Sequence, residues 1–178
     1  MSGVSMFRVP KPQPDEYAEY YGRYIRLVGD DAIATLRSSG AGTPQLLSGV
    51  TDPQAMFRYA PGKWSVKEVL GHVLDVERVF MYRALSIARE DDTPLPGFEE
   101  NKWLPAAHFD RRTVQDLVAE YQAVRAATLA LLTSFDDLAL ERRGTASGHP
   151  VSVRALAHMT AGHELHHVAL LRERYGLA

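Results

Sequence analysis

The stretch GHELHHVALLRERYG, residues 162–176, carries three of the seven histidines in the chain. His163, Glu164 and His167 spell H-E-x-x-H, the pattern by which zinc peptidases set two imidazoles and a carboxylate base on one helix. Residues four apart on a helix are separated by about 40° around its axis, so His163 and His167 can converge on one ion. If their face is buried, two unpaired imidazoles side by side are costly. An ion that accepts both nitrogens removes that cost. A pair of core histidines hydrogen-bonded to neighbours or water is the structural alternative, and the i, i+4 pairing favours the ion.

A catalytic metal site needs three protein ligands and an open position. A gluzincin finds its third ligand downstream of the motif, but only 11 residues follow His167 in this chain of 178, and Glu173 belongs to the same helix. A metzincin continues H-x-x-G-x-x-H, and Leu170 and Glu173 stand at those positions. The third ligand is therefore expected upstream, at His72, which edges an apolar face marked by Val69 and Val76. Asp75, nearly a turn later, could orient an imidazole through its other nitrogen, although a solvated surface carboxylate is the preferred reading. Glu164 projects from a different face than His163 and has no Lys or Arg three or four residues away, so it too is expected as a solvated carboxylate rather than a base. His158 lies about 180° from His167 and should miss the site, and His166 is offset from His167 by about 100°. His108 and His149 fall in loops. FEENKW, residues 98–103, reads as a polar loop with an anchoring Trp103. Its Glu100 is the weak candidate for moving a proton at a metal mouth.

These residues need a scaffold, and the apolar spacing supplies one. Helices are expected over about 14–38, 65–90, 111–135 and 152–175. The first carries Tyr17, Tyr20, Tyr21, Tyr24, Leu27 and Val28 at helical spacing and should break at SSGAGTP. The second opens on Ser65 with Glu68 three residues on, a capping box. The third has the series Val114, Leu117, Tyr121, Val124, Thr128, Leu131, Phe135. The fourth is capped by Ser152 and stopped by Gly176, with Arg172 and Arg174 at its negative end. No stretch alternates persuasively at period two. The expectation is an all-α four-helix bundle with a long crossover connection near 91–110, one domain over residues 1–178, with 1–13 extended or flexible.

Composition narrows the chemistry further. There is no cysteine, which excludes disulfides, thiolate ligands and a cysteine nucleophile. The net charge of -2 gives no basic balance of the kind that nucleic acid attracts. No run of about 18 apolar residues would span a membrane. The first residues lack the apolar core of a secretory signal, so a cytoplasmic location is expected.

Three segments taken together, GKWSVKEVLGHVLDVERVF at 62–80, LPGFEENKW at 95–103 and VSVRALAHMTAGHELHHVALLRERYG at 151–176, resemble the DinB/YfiT-like superfamily of metal-binding four-helix bundles, in particular its DinB_2 branch. The combination of W-S-x-x-E-x-x-x-H on the second helix with H-x-x-x-H on the fourth is the specific part. The resemblance implies a bundle with a long crossover, often a homodimer, and a metal triad at His72, His163 and His167. It implies Zn²⁺ or Ni²⁺ first, with Fe²⁺ or Mn²⁺ as the other ions such a set suits. It also implies a small-molecule substrate, with either transfer from a low-molecular-weight thiol or hydrolysis as the reaction. A non-catalytic bundle that stores metal or senses a ligand is the competing expectation.

Overall fold

The computed structural model describes residues 7–178, so the expectation of an extended or flexible start lies, for residues 1–6, outside the described residues. Eight helices occur among the described residues: α1 (Gly22–Ile25), α2 (Ala32–Leu47), α3 (Asp52–Met56), α4 (Val66–Ala88), α5 (Glu100–Ala107), α6 (Val114–Thr133), α7 (Asp137–Glu141) and α8 (Val153–Tyr175). The four long ones form the bundle. α4 packs on α6 and α8, and α2 packs on the same two helices, so the ring runs α4, α8, α2, α6. Helices consecutive in the chain, α2 with α4 and α6 with α8, therefore sit across diagonals. No helix among the described residues is long and apolar enough to cross a membrane.

Three of the bundle helices begin where their caps dictate. The Ser65 hydroxyl accepts from the Glu68 amide and the Glu68 carboxylate accepts from the Ser65 amide. Thr113 and Asp116 repeat this box on α6. Ser152 caps α8 through the Ala155 amide, and Gly176 closes it in the left-handed conformation, φ 69°.

The first expected helix is not continuous. Residues 14–31 form 3-10 turns at Pro14–Glu16 and Glu19–Tyr21, the single turn α1, and then a break. The reason is at Asp31, whose carboxylate accepts from the amides of Ile33 and Val9. It starts a new helix while tying the extended segment around Val9 alongside. SSGAGTP, expected as the terminator, lies inside α2, and Pro44 is a helical residue there. Tertiary contacts override poor propensity here: Ser39 and Thr43 both bond Glu164 of α8, and Gly40 backs onto Arg125 of α6. FEENKW also departs from expectation, because Glu100 to Trp103 begin α5.

A short antiparallel hairpin, β1 (Arg143–Ala146) with β2 (His149–Ser152), precedes α8. No strand was expected here. Its signal is the dipeptide Ser147-Gly148, both at positive φ (54° and 78°), which is the two-residue turn that matches strand twist. Leu95 bonds the main chain of Thr145 and Ser147, which pins the α4–α5 connection beside the hairpin.

Glu16 fastens the N-terminal segment to the start of α8. Its burial disfavours the carboxylate, yet Arg154 (2.5 and 2.8 Å), the Ser152 hydroxyl (2.6 Å) and the Gln13 amide (2.9 Å) outweigh this and hold its pKa at about 2. A depressed carboxyl pKa contributes stability above the unfolded value that is lost as pH falls through the folded one, here from about 4.5 through about 2. Glu16→Gln is expected to cost about 3 kcal/mol at pH 7 and to flatten the fall in stability between pH 5 and pH 2. Urea titrations at several pH values test it, and parallel slopes in both proteins would contradict it.

The apolar core falls into two clusters. One gathers Ile33, Leu36, Phe80, Leu132 and Leu156, and the other Leu47, Val69, Leu74, Leu117 and Leu171. Buried polar side chains gather on every bundle helix where these clusters meet: Ser39 and Thr43 on α2, His72 and Glu77 on α4, Arg125 on α6, and His163, Glu164 and His167 on α8. A polar layer thus crosses the middle of the bundle.

Candidate metal centre

Each histidine of the set stands on a rigid helix. α4 presents His72, and α8 presents His163 and His167 one turn apart. The Nε2 atoms of His72 and His167 lie 3.0 and 3.1 Å from the Nε2 of His163. One nitrogen of a neutral imidazole has either a proton or a lone pair, so His163 Nε2 cannot complete a straight hydrogen bond to both. Three ligands at zinc–nitrogen distances of about 2.0–2.1 Å in a tetrahedral set would have nitrogens about 3.3–3.4 Å apart. The spacing here is close to that, and the donor set fits a divalent ion. No other His, Asp or Glu among the described residues joins the group.

Electrostatics prepares the rings as ligands. Burial pushes His72 down to about 4 and His167 to about 3, and it holds His163 well below the usual imidazole range. All three are neutral with lone pairs free at pH 7. Trp64 lies with its centroid 4.7 Å from His72 and 6.4 Å from His167, stacked on the latter. Tyr24 stands edge-on to His163 at 5.4 Å. That approach needs Gly162: a Cβ there would lie 2.1 Å from the Tyr24 carbonyl oxygen. His167 Nδ1 is buried without a partner among the described residues, so the protein does not set its tautomer.

Two clefts flank the cluster along the bundle axis. The first, about 150 Å³, includes Tyr21, Tyr24, Phe80, Phe98, Glu100, His72 and His163 in its wall. The second, about 280 Å³, is bounded by Tyr59, Lys63, Trp64, Asn101, His167 and Leu170. Along α4, Val69 lines the second cleft and Val76 and Phe80 the first, with His72 between them. Glu100 and Asn101, consecutive at the start of α5, face one cleft each. The segment expected as a polar loop is thus a helix end set over the cluster.

The remaining candidates divide clearly. Glu164, expected in solvent, is 1 % exposed. It accepts from Ser39 (2.7 Å), Thr43 (2.7 Å), Arg125 (2.7 Å) and the Tyr121 hydroxyl. Its partners come from α2 and α6, so scanning i±3 and i±4 on its own helix could not reveal them. Asp75 lies 3.8 Å from Arg78 and makes no hydrogen bond to His72 among the described residues. His158 is fully buried with Nδ1 3.1 Å from the Arg154 carbonyl, away from the cluster. His166 packs on Tyr24 at its edge. His108, left-handed at the end of α5, and His149 in the hairpin are exposed. The sequence marks Trp64 and Tyr24 only as part of the W-S-x-x-E-x-x-x-H pattern and of the first apolar series, not as rings packed on the histidines.

Known proteins resemble the chain in sequence and in fold. The sequence profile of the DinB superfamily matches residues 35–171. A Geobacillus kaustophilus protein named as a candidate metal-dependent hydrolase is 28% identical over 151 residues, covering 81% of this chain and 84% of its own. Among solved structures, YfiT from Bacillus subtilis, described as a probable metal-dependent hydrolase with an unusual four-helix bundle topology, superposes with a TM-score of 0.74 at 20% identity over 94% of both chains. The mycothiol-dependent maleylpyruvate isomerase is similar at a TM-score of 0.64 and 15% identity, over 83% of this chain and 60% of that one. With the profile spanning most of the chain, the chain belongs to the DinB superfamily.

Proposed function

We propose that His72, His163 and His167 hold a divalent ion, Zn²⁺ or Ni²⁺ before Fe²⁺ or Mn²⁺, and that the protein is a metal-dependent enzyme acting on a small organic molecule. The observation that carries this reading is the convergence of three neutral Nε2 atoms that cannot satisfy one another, beside an open cleft. A bound ion of this kind supplies Lewis acidity, which turns a coordinated thiol or water into a nucleophile near neutral pH. The absence of a fourth ligand among the described residues speaks against a closed storage site.

The chain's own residues favour transfer between two organic reactants over hydrolysis. Water needs no cleft of its own, yet cavities of about 150 and 280 Å³ meet the cluster from two sides. Tyr21, Tyr24, Phe80 and Phe98 give the first an aromatic wall against which an organic substrate can pack. Exposed Glu100 at its edge is placed to take or return a proton. A low-molecular-weight thiol in one cleft and an electrophile in the other is the arrangement this supports.

The test is turnover of an electrophile such as 1-chloro-2,4-dinitrobenzene by the metal-loaded protein, with and without an added thiol. Thiol-dependent product above the uncatalysed rate, lost at least 100-fold in His167→Ala, is expected. Ester or amide cleavage that needs no thiol and is lost in the same variant would replace transfer with hydrolysis. Failure to bind metal would remove the enzymatic reading altogether.

A further inference from the structure

The two clefts beside the histidines differ in charge. The only charged side chain in the wall of the first is the Glu100 carboxylate, and the only one in the wall of the second is the Lys63 ammonium. No carboxylate pairs with Lys63 among the described residues, whereas nearby Arg58 is paired with Glu68. The Lys63 Nζ lies 5.9 Å from the centre of the Tyr59 ring, which lines the same cleft. Asn101 of α5 adds a side-chain amide to that wall, and His167 is there from the cluster. An anion is therefore drawn to the second cleft and repelled from the first.

The segment that carries Lys63 is fixed in place. Pro61 and Gly62, the latter at φ 73°, are the central residues of a type II turn, closed by the Lys63 amide on the Ala60 carbonyl at 3.2 Å. The Lys63 carbonyl accepts from Arg58 Nη1 at 2.8 Å, and the Trp64 carbonyl accepts from the Tyr175 hydroxyl at 2.7 Å. The main chain at 63 and 64 is thus tied to α4 through Glu68 and to α8 through Tyr175. What the turn leaves unpaired is the ammonium. At about 280 Å³ the cleft takes a whole small organic acid and not its carboxylate alone.

We propose that the second cleft receives a carboxylate-bearing reactant and that Lys63, with Asn101, determines this specificity. The carboxylate meets the Lys63 ammonium and the Asn101 amide, the body of the molecule lies against Trp64 and Tyr59, and its reacting group reaches His167. One ammonium matches one negative charge, which favours a carboxylate over a phosphate dianion. The first cleft, with Glu100 in its wall, is left to an uncharged reactant. The identity of the reacting end rests on the proposed function. The preference for an anion is a property of the protein without metal.

The probes are 3-phenylpropionate and 3-phenylpropanamide, near-equal in shape and different in charge, titrated by ¹⁵N NMR. Metal-free protein is used because a carboxylate also binds a metal ion directly. At low salt the acid is expected to bind at least threefold more tightly than the amide, with shifted signals at residues 59–64 and 101. The preference should shrink as added salt screens it. Lys63→Met should abolish the preference and Lys63→Arg should keep it; the side chain is exposed, so both variants are expected to fold. Equal affinities or no binding of either probe overturn the proposal. So does a preference that survives in Lys63→Met, or one whose shifts fall on residues 20–24 and 147 of the first cleft. Metal binding is titrated separately, so failure of the metal centre and failure of the anion preference are told apart.

Discussion

Arg125→Met is expected to destabilise the protein by about 3–5 kcal/mol, the cost of breaking a buried ion pair from one side. For a chain of this length that is a fall in Tm of roughly 6–20 °C. Arg125 is 3 % exposed in the polar layer of the bundle. Its Nε and Nη2 donate to the two oxygens of Glu77 at 2.9 and 2.8 Å, and Nη2 also donates to Glu164 at 2.7 Å. Nη1 donates to the Leu36 carbonyl and the Ser39 hydroxyl, both at 2.9 Å. One guanidinium therefore joins all four bundle helices. Burial works against its charge, but Glu77 and Glu164 keep it protonated beyond the ordinary arginine range. Methionine fills much of the volume and leaves two carboxylates buried without a cation, while the Ser39 and Thr43 hydroxyls cannot replace a charge. Arg125→Lys should fall between, because an ammonium is a point charge that cannot serve both carboxylates and the Leu36 carbonyl in a fixed plane. Urea unfolding of the three proteins measures the series. A loss below about 1 kcal/mol in Arg125→Met would mean that the layer is hydrated and the pair weakly coupled to folding.

The same layer marks how far the sequence could be read. The 3-4 series on α6, Val114 through Phe135, located the helix to within a few residues because apolar periodicity is a local signal. It placed Val124 on the core face, whereas Arg125 is the buried neighbour. Nothing near Arg125 announces this, since its partners are 48 and 39 residues away. Glu164 was misread as solvated for that reason. α2 was displaced for a related one: Ser39, Gly40 and Thr43 look like helix breakers until Glu164 and Arg125 are set against them. The hairpin escaped because four-residue strands are too short for alternation to show. The histidines were legible because their chemistry is written in helical spacing, four residues within α8 and an edge position on α4. The wall of aromatic residues around them was not, because it is assembled from the Tyr20–Tyr24 segment, the crossover and the hairpin turn, which meet only in the folded chain.

The proposed metal centre carries the second large expected effect. One equivalent of Zn²⁺ or Ni²⁺, with free ion at 100 times its dissociation constant, is expected to add about 2.7 kcal/mol to stability, a rise in Tm of roughly 5–11 °C at this chain length. His163→Ala is expected to abolish that rise and to reduce bound metal, counted by mass spectrometry on protein purified without a histidine tag, from one equivalent to less than a tenth. The choice of variant follows from geometry. His163 Nε2 is the atom shared by both short contacts, so its loss leaves His72 and His167 without the nitrogen that joins them. The metal-free proteins should differ much less than the metal-bound ones. In the metal-free state three neutral rings face one another with fewer hydrogen bonds than nitrogens, so removing one imidazole relieves a conflict while it opens a cavity. A purely structural histidine cluster would give the opposite pattern: no response to metal in the unaltered protein, and the full loss of stability in His163→Ala whether or not metal is added. The two patterns diverge in the unaltered protein itself, so one melting curve with and without Zn²⁺ separates a built metal site from a packed core.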